Sequence, residues 1–354
     1  MYRETDELKR FQDSIVTPIK APAKASAVWK VRVMKGNIIM RESAWMKNVI
    51  VNRWWDHLAT YGSTSGIKGF IAGAGTSSPL ETDTGLQSYL GGGNSFQSVQ
   101  QIVNSTVSPR STTTVVRIRA GEGAVVGNVA ELALYFATGS SSVNPSNSVQ
   151  IANRVRVTDE TGAPTTIPVA NDEFLEIECR TTWFAIDGVT GIWELSNKGV
   201  LETYNYEIRP VAMFYATLWG TIGTTGLWNP SSLLAVDTAN QPQYCKALTQ
   251  ATFVDPSASN SSGVPGWGDG VNNFTQRNIL TPYVPGSKAT HQRIRLPLNN
   301  GNHPAPGIRS LMLSLSGYSP SQPWCCHQML LETPFVKTGN EILDIPLSVI
   351  RGNA

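Results

Sequence analysis

The sequence predicts an all-β protein: two tandem antiparallel β-sandwich domains, jelly-roll-like in character, behind an extended N-terminal arm. Three observations predict this. Charged residues make up only 15% of the 354, while 31 Gly and 21 Pro, with many Ser, Thr and Asn, interrupt short apolar runs; that balance suits strands joined by turns. Several runs alternate apolar and polar residues, as at Leu132, Leu134 and Phe136, which buries one face of a strand and leaves the other in water. The second half of the chain also repeats, in order, short motifs of the first, and the length accommodates two cores.

In chain order, the first element is a short helix, predicted where Leu8, Phe11 and Ile15 follow the acidic Glu4, Asp6 and Glu7. It is too short to be stable without a partner. Thr17 to Ala25, with two prolines, reads as an extended linker. Ala27 to Met34 and Asn37 to Arg41 read as two strands around the Lys35-Gly36 turn. A second helix is expected over Met46 to Tyr61, with Trp54, Trp55 and Leu58 plugging one end of a β-domain. Residues 1–61 therefore form the arm, 62–212 a first sandwich and 213–354 a second, diverged one.

The arm is basic: 11 of the 28 Lys and Arg but only 5 of the 26 Asp and Glu lie in residues 1–53, so the remainder is net acidic. Its cations are scattered without aromatic or Gly-rich interleaving, which argues against a nucleic-acid partner. An extended, strand-forming arm is suited to pairing with the sheet edge of a neighbour. The residues expected to carry that assembly are Leu8, Phe11, Ile15, Val31, Val33, Ile38 and Met40. The alternative is that the arm's strands complete the first domain's own sheet.

The repeat rests on several ordered matches. Asn94-Ser95-Phe96 recurs as Asn272-Asn273-Phe274, and Arg117-Ile118-Arg119 as Arg293-Ile294-Arg295. Glycine-rich turns ending at Gly127 and Gly307 lead into the alternating Leu132, Leu134, Phe136 and Leu311, Leu313, Leu315. Asp172-Glu173-Phe174-Leu175-Glu176-Ile177 aligns with Asn340-Glu341-Ile342-Leu343-Asp344-Ile345. Each match is weak alone; their common order points to a tandem duplication of one β-domain. The most secure strands are Val115 to Arg119, Leu132 to Phe136, Val155 to Val157 and Phe174 to Ile177.

Some of these residues also carry a family resemblance. Lys47-Asn48-Val49-Ile50-Val51-Asn52 precedes Gly69 to Pro79, which contains Gly73-Ala74-Gly75-Thr76, and then Thr82-Asp83-Thr84. Further on stand Ala120-Gly121-Glu122-Gly123, Gly127-Asn128 with Glu131-Leu132-Ala133-Leu134, and Thr166-Ile167 with Asp172-Glu173-Phe174. This pattern resembles a widespread class of tailed-bacteriophage virion proteins over residues 47–209. The chain departs from it in a hairpin spanning Asp187 to Gly199 and in its second copy, which keeps the spacing but few of the motif residues. The resemblance implies a component of tail, baseplate or collar, and assembly rather than chemistry.

Candidate chemical sites read more simply as structure. Gly73-Ala74-Gly75 follows an apolar strand, but Ser78 replaces the third glycine of a phosphate-binding loop and no helix pattern follows. In Trp324-Cys325-Cys326-His327, adjacent strand residues point to opposite faces, so one metal ion cannot take both cysteines. Asp187, Glu194, Asp237 and Asp269 lie in Gly-rich turns, where acids cap their own backbone, and no nucleophile elbow is present. Trp228, Trp267, Asp269 and Trp324 are the residues that could contact a glycan.

The expectation is a non-enzymatic structural component of a phage virion, made in the host cytoplasm and partnered by its own copies and other virion proteins. No cofactor, metal, catalytic residue or membrane partner is expected. Four irregularly spaced cysteines predict no disulfide framework, and no secretory or 18-residue apolar segment is present. The alternative is a tail-fibre protein that binds a host surface glycan through the second domain; a polysaccharide-degrading enzyme is the third reading.

Overall fold

The computed structural model describes residues 19–61, 65–104, 107–138, 143–197, 200–212, 245–248, 251–253, 277–279, 284–296, 303–314, 326–337 and 343–354. These residues form 22 strands and one helix. The all-β, sandwich-like class predicted from sequence is the class observed.

The organising element is β1 (Ile19–Lys35). Its residues Lys24 to Met34 pair antiparallel with β14 (Phe174–Phe184) in unbroken register, Trp29 opposite Cys179 and Val31 opposite Ile177. Its opposite edge has other neighbours. Ile19 to Ala25 pair parallel with Leu347 to Asn353 of β22 (Leu343–Asn353). Val28 and Trp29 pair with β3 (Met46–Lys47), and Arg32 to Lys35 pair with β2 (Ile38–Glu42) after a turn at Gly36, φ +57°. Only glycine enters that left-handed region without strain.

Two expectations are corrected here. Residues expected as a linker are strand from Ile19 onward: Pro22 stands where β14 has already ended, so only one edge of the chain needs pairing there. The helix predicted from Met46 is shorter, α1 (Asn52–Tyr61). The β-branched run Val49-Ile50-Val51 favours extended backbone, and Val49 and Ile50 form β4, paired with β12 (Asn153–Arg156). Trp54, Trp55 and Leu58 of α1 are buried in the core.

The largest sheet runs β18 (Arg277–Ile279), β19 (Ala289–Leu296), β22, β1, β14, β8 (Ser111–Arg119), β7 (Ser95–Asn104), with β2 and β3 beside β1. Thus β1 lies between β14 and β22, the strands containing the two ends of the sequence match at 172–177 and 340–345. The pairing repeats as well. Arg119 is opposite Glu176 and Ile118 opposite Ile177, while Arg295 is opposite Asp344 and Ile294 opposite Ile345.

A second sheet, β4-β12-β10-β5-β6, faces this one across the core, with β10 (Glu131–Thr138) central between β5 (Ser65–Gly73) and β12; β6 is Tyr89–Gly93. A third, β15-β16-β21-β20-β17, joins the hairpin of β15 (Val189–Asn197) and β16 (Val200–Ala212) to β21 (Cys326–Lys337), β20 (His303–Ser314) and β17 (Cys245–Leu248). In matching positions, Leu132 is opposite Ala72 and Leu311 opposite Ala247.

Period-two alternation sets the core: Ala25, Ala27, Trp29, Val31 and Val33 of β1 are buried, while Ser26, Val28, Lys30 and Arg32 point the other way. Loop 74–88 is tied to the C-terminal strands, since Glu81 pairs with Lys288 and accepts from Asn353 Nδ2 (2.5 Å).

Candidate functional site

Four of the residues that carry the family resemblance, Gly73, Gly75, Asp83 and Glu131, converge on one buried ionic cluster. Glu131 opens β10 with its side chain on the outer face of the second sheet, where the loop after β5 covers it. Its Oε1 accepts the backbone N–H groups of Gly75 (3.0 Å), Gln87 (2.9 Å) and Ser88 (3.0 Å). Its Oε2 accepts from Arg154 Nε (2.8 Å) and Nη2 (2.6 Å). Arg154 Nη1 reaches Asp83 Oδ2 at 2.8 Å and Nη2 reaches Ser77 Oγ at 2.9 Å. Asp83 Oδ2 also accepts from Leu80 N (2.8 Å), closing the turn.

Close approach explains the glycines. A Cβ on Gly75 would lie 2.2 Å from Glu131 Oε1, and one on Gly73 2.5 Å from Ser88 O. The Gly75 N–H, which a phosphate-binding loop would turn toward its ligand, is aimed at Glu131 instead. Each carboxylate oxygen of Glu131 accepts several hydrogen bonds, so the cluster holds a loop and offers no base to a substrate.

The other motif residues act similarly. The Asn48 amide lies among Ala27 O (3.0 Å), Asn153 Nδ2 (2.7 Å) and Trp29 Nε1 (3.0 Å), with its nitrogen donating to the first and its oxygen accepting from the others. Asn153 Oδ1 accepts from Leu134 N (3.0 Å), so one polar chain crosses the sandwich from β1 to β10. Glu173 accepts from Ala170 N (2.8 Å) and pairs with Arg41, and Asp172 pairs with Lys35, pinning the β1–β2 hairpin. Hydrogen bonding to Lys35 holds the Asp172 carboxyl below its usual range.

Comparison with known proteins finds no matching family model, no matching curated protein and no matching solved structure.

A second ionic array covers the outer face of the large sheet. Glu178, 2% exposed, receives Arg117 Nε (2.9 Å) and Arg180 Nη2 (2.7 Å). Burial pushes its pKa up, yet the hydrogen bonds from Arg180 and Arg117 outweigh that and hold it below the ordinary value. Glu176 receives Arg119 Nη2 (2.7 Å), and Glu42 receives Lys30 Nζ (2.5 Å) and Arg32 Nε (2.6 Å). The Arg180 guanidinium lies 4.3 Å from the Trp45 ring centre and Lys30 Nζ 5.6 Å from it.

Of the residues expected to carry assembly, Val31 and Val33 are fully buried in the chain's own core, opposite Ile177 and Leu175, the arrangement of the alternative in which the arm's strands complete the chain's own sheet. Ile38 and Met40 are exposed on β2, at 67% and 48%. Leu8, Phe11, Ile15, Trp228, Trp267, Asp269 and Trp324 lie outside the described residues. His327 is buried, which pushes its pKa down to about 4. Burial likewise pushes the Cys179 thiol up to about 12, an unreactive state. Among the described residues no three His, Cys, Asp or Glu side chains are placed to hold a metal ion, and no helix is long and apolar enough to cross a membrane.

Sequence reasoning missed Arg154, Glu176 and Glu178. All three stand at alternate positions that read as solvent-facing polar residues; the one available signal was the number of Arg residues on strands rich in Glu.

Proposed function

We infer that this chain is a structural component of a tailed-phage virion, in the tail, baseplate or collar, which works by contact with its own copies and other virion proteins and performs no catalysis. The observation that carries the reading is the Glu131 cluster. Gly73, Gly75, Asp83 and Glu131, scattered over about sixty residues of sequence, act together on one buried device. The residues behind the resemblance therefore act together in one architectural element of this chain rather than as unrelated turns, which supports the reading.

Light scattering on the purified chain, with negative-stain microscopy, tests the reading. Its expected result is one mass at a small integral multiple of the chain, with a ring or tube of fixed symmetry. A monomer at every concentration and salt level would overturn it. Truncation to probe the arm should stop at residue 18, because removing residues 19–30 deletes most of β1 and with it the core.

A further inference from the structure

The chain carries two outer sheet faces of opposite sign; the second is covered at one end, where Gln328 Nε2 donates to Thr252 O (3.0 Å) and the Arg209 guanidinium lies 4.6 Å from the Phe253 ring centre. On the β1-β14-β8 face, five cations (Lys30, Arg32, Arg117, Arg119, Arg180) stand over three carboxylates, two of which, Glu176 and Glu178, are 7% and 2% exposed beneath them. Solvent therefore meets guanidinium edges, and Trp45 at their border is 40% exposed.

On the β15-β16-β21 face, an open groove of about 530 Å³ is lined by Ile192, Asn205, Glu207 and Glu332 among others. Register places Thr190 opposite Glu207 opposite Leu330, and Ile192 opposite Asn205, so these side chains share one side of the sheet, where Glu332 joins them. Glu332 accepts from Asn205 Nδ2 (2.7 Å), and Arg209 binds Glu207 (2.5 Å). Ile192 is 59% exposed in this acidic setting.

We propose that these faces bind each other between copies: the basic β1-β14-β8 face of one chain docks on the acidic β15-β16-β21 face of the next. The inference rests on the assembly reading and names its contact. Opposite charge favours this pairing, like charge disfavours either face meeting its twin, and each face offers an apolar anchor, Trp45 and Ile192. A contact between two different faces is heterologous, so it propagates head to tail and closes into a ring or runs as a filament. Occupation of the basic face by an acidic peptide or a nucleic acid is the competing outcome.

The test uses two full-length variants, Arg180→Glu and the double variant Glu207→Lys with Glu332→Lys, each first checked by thermal unfolding. Arg180→Gln, which adds no charge beside Glu178, is the reserve should Arg180→Glu fail to fold. Each variant alone should associate at least about tenfold more weakly than wild type, and wild-type association should weaken with salt. Mixing the two should restore association as a heterodimer, because the unaltered acidic face of the first variant meets the unaltered basic face of the second. Wild-type mass in either variant alone would overturn this contact while leaving the assembly reading intact. A monomeric wild type at every salt level would remove both.

Discussion

Arg154 Nη2 and Glu131 Oε2 stand 2.6 Å apart, with both side chains almost wholly shut off from water. A pair so placed is held by the surrounding hydrogen bonds as much as by its own attraction, and removing one partner leaves an uncompensated buried charge. Arg154→Met should therefore lower the unfolding free energy by about 3–5 kcal/mol. Asp83→Asn, at a partly exposed carboxylate of the same cluster, should cost about 1–2 kcal/mol. Urea unfolding of the purified variants reads both, and equal losses would contradict the ranking.

Gly75→Ala should cost more than the ordinary glycine penalty, because its Cβ would fall 2.2 Å from Glu131 Oε1 and push the carboxylate off three backbone donors. A loss above ~2 kcal/mol is expected. Gly66→Ala, whose Cβ would meet nothing within 4 Å, is the control and should stay near neutral. Thermal midpoints compared side by side decide it.

His57 and His327 are both held by burial at pKa values of about 4, below the ordinary 6.5. The unfolded chain therefore binds protons that the folded chain refuses between those limits. Their contribution is fully present above pH 6.5 and is lost as pH falls toward 4, at up to roughly 1.4 kcal/mol per pH unit for each histidine. Unfolding free energy measured across this window should fall with acid, and His57→Phe should flatten the slope. Paired carboxylates such as Glu178 add a further loss only below the ordinary carboxylate range.

Deleting residues 1–18 should leave the thermal midpoint within a few degrees, whereas deleting 1–25 should expose the free edge of β22 from Leu347 to Asn353. Hydrogen exchange reads the difference directly: the amides of β22 should lose protection in the longer deletion and keep it in the shorter. Equal protection in both would show that β1 does not hold the C-terminal strand.

What the sequence made legible was local. Alternation at Leu132, Leu134 and Phe136 reported a strand because each side chain there has a single environment, core or water. The ordered repeats went further and matched register, Ile118 with Ile177 and Ile294 with Ile345. What stayed hidden depends on distant partners. Ala21-Pro22-Ala23 has weak strand preference of its own and becomes strand only because Val349, Ile350 and Arg351 lie beside it. Arg154 looked like any exposed strand cation, since nothing local announces that the loop beginning at Ala74 folds back over it. The motif glycines and Asp83 were visible as a pattern, but their common partner, the Glu131 carboxylate, emerged only from the fold.

The place of β1 also bears on how the molecule comes into being. A ribosome releases Ile19 long before the residues that will flank it, for Lys24 waits for Phe184 and Ile19 itself for Leu347. The central sheet cannot close until Leu347 to Asn353 have been made, and the ordering entropy of its longest-range pairing is spent last. Until Phe174 to Phe184 emerge, the strand with alternating Trp29, Val31 and Val33 keeps one edge unpaired, open to the complementary edges of other nascent chains. Refolding should accordingly be slow and sensitive to protein concentration, with yield improving on dilution.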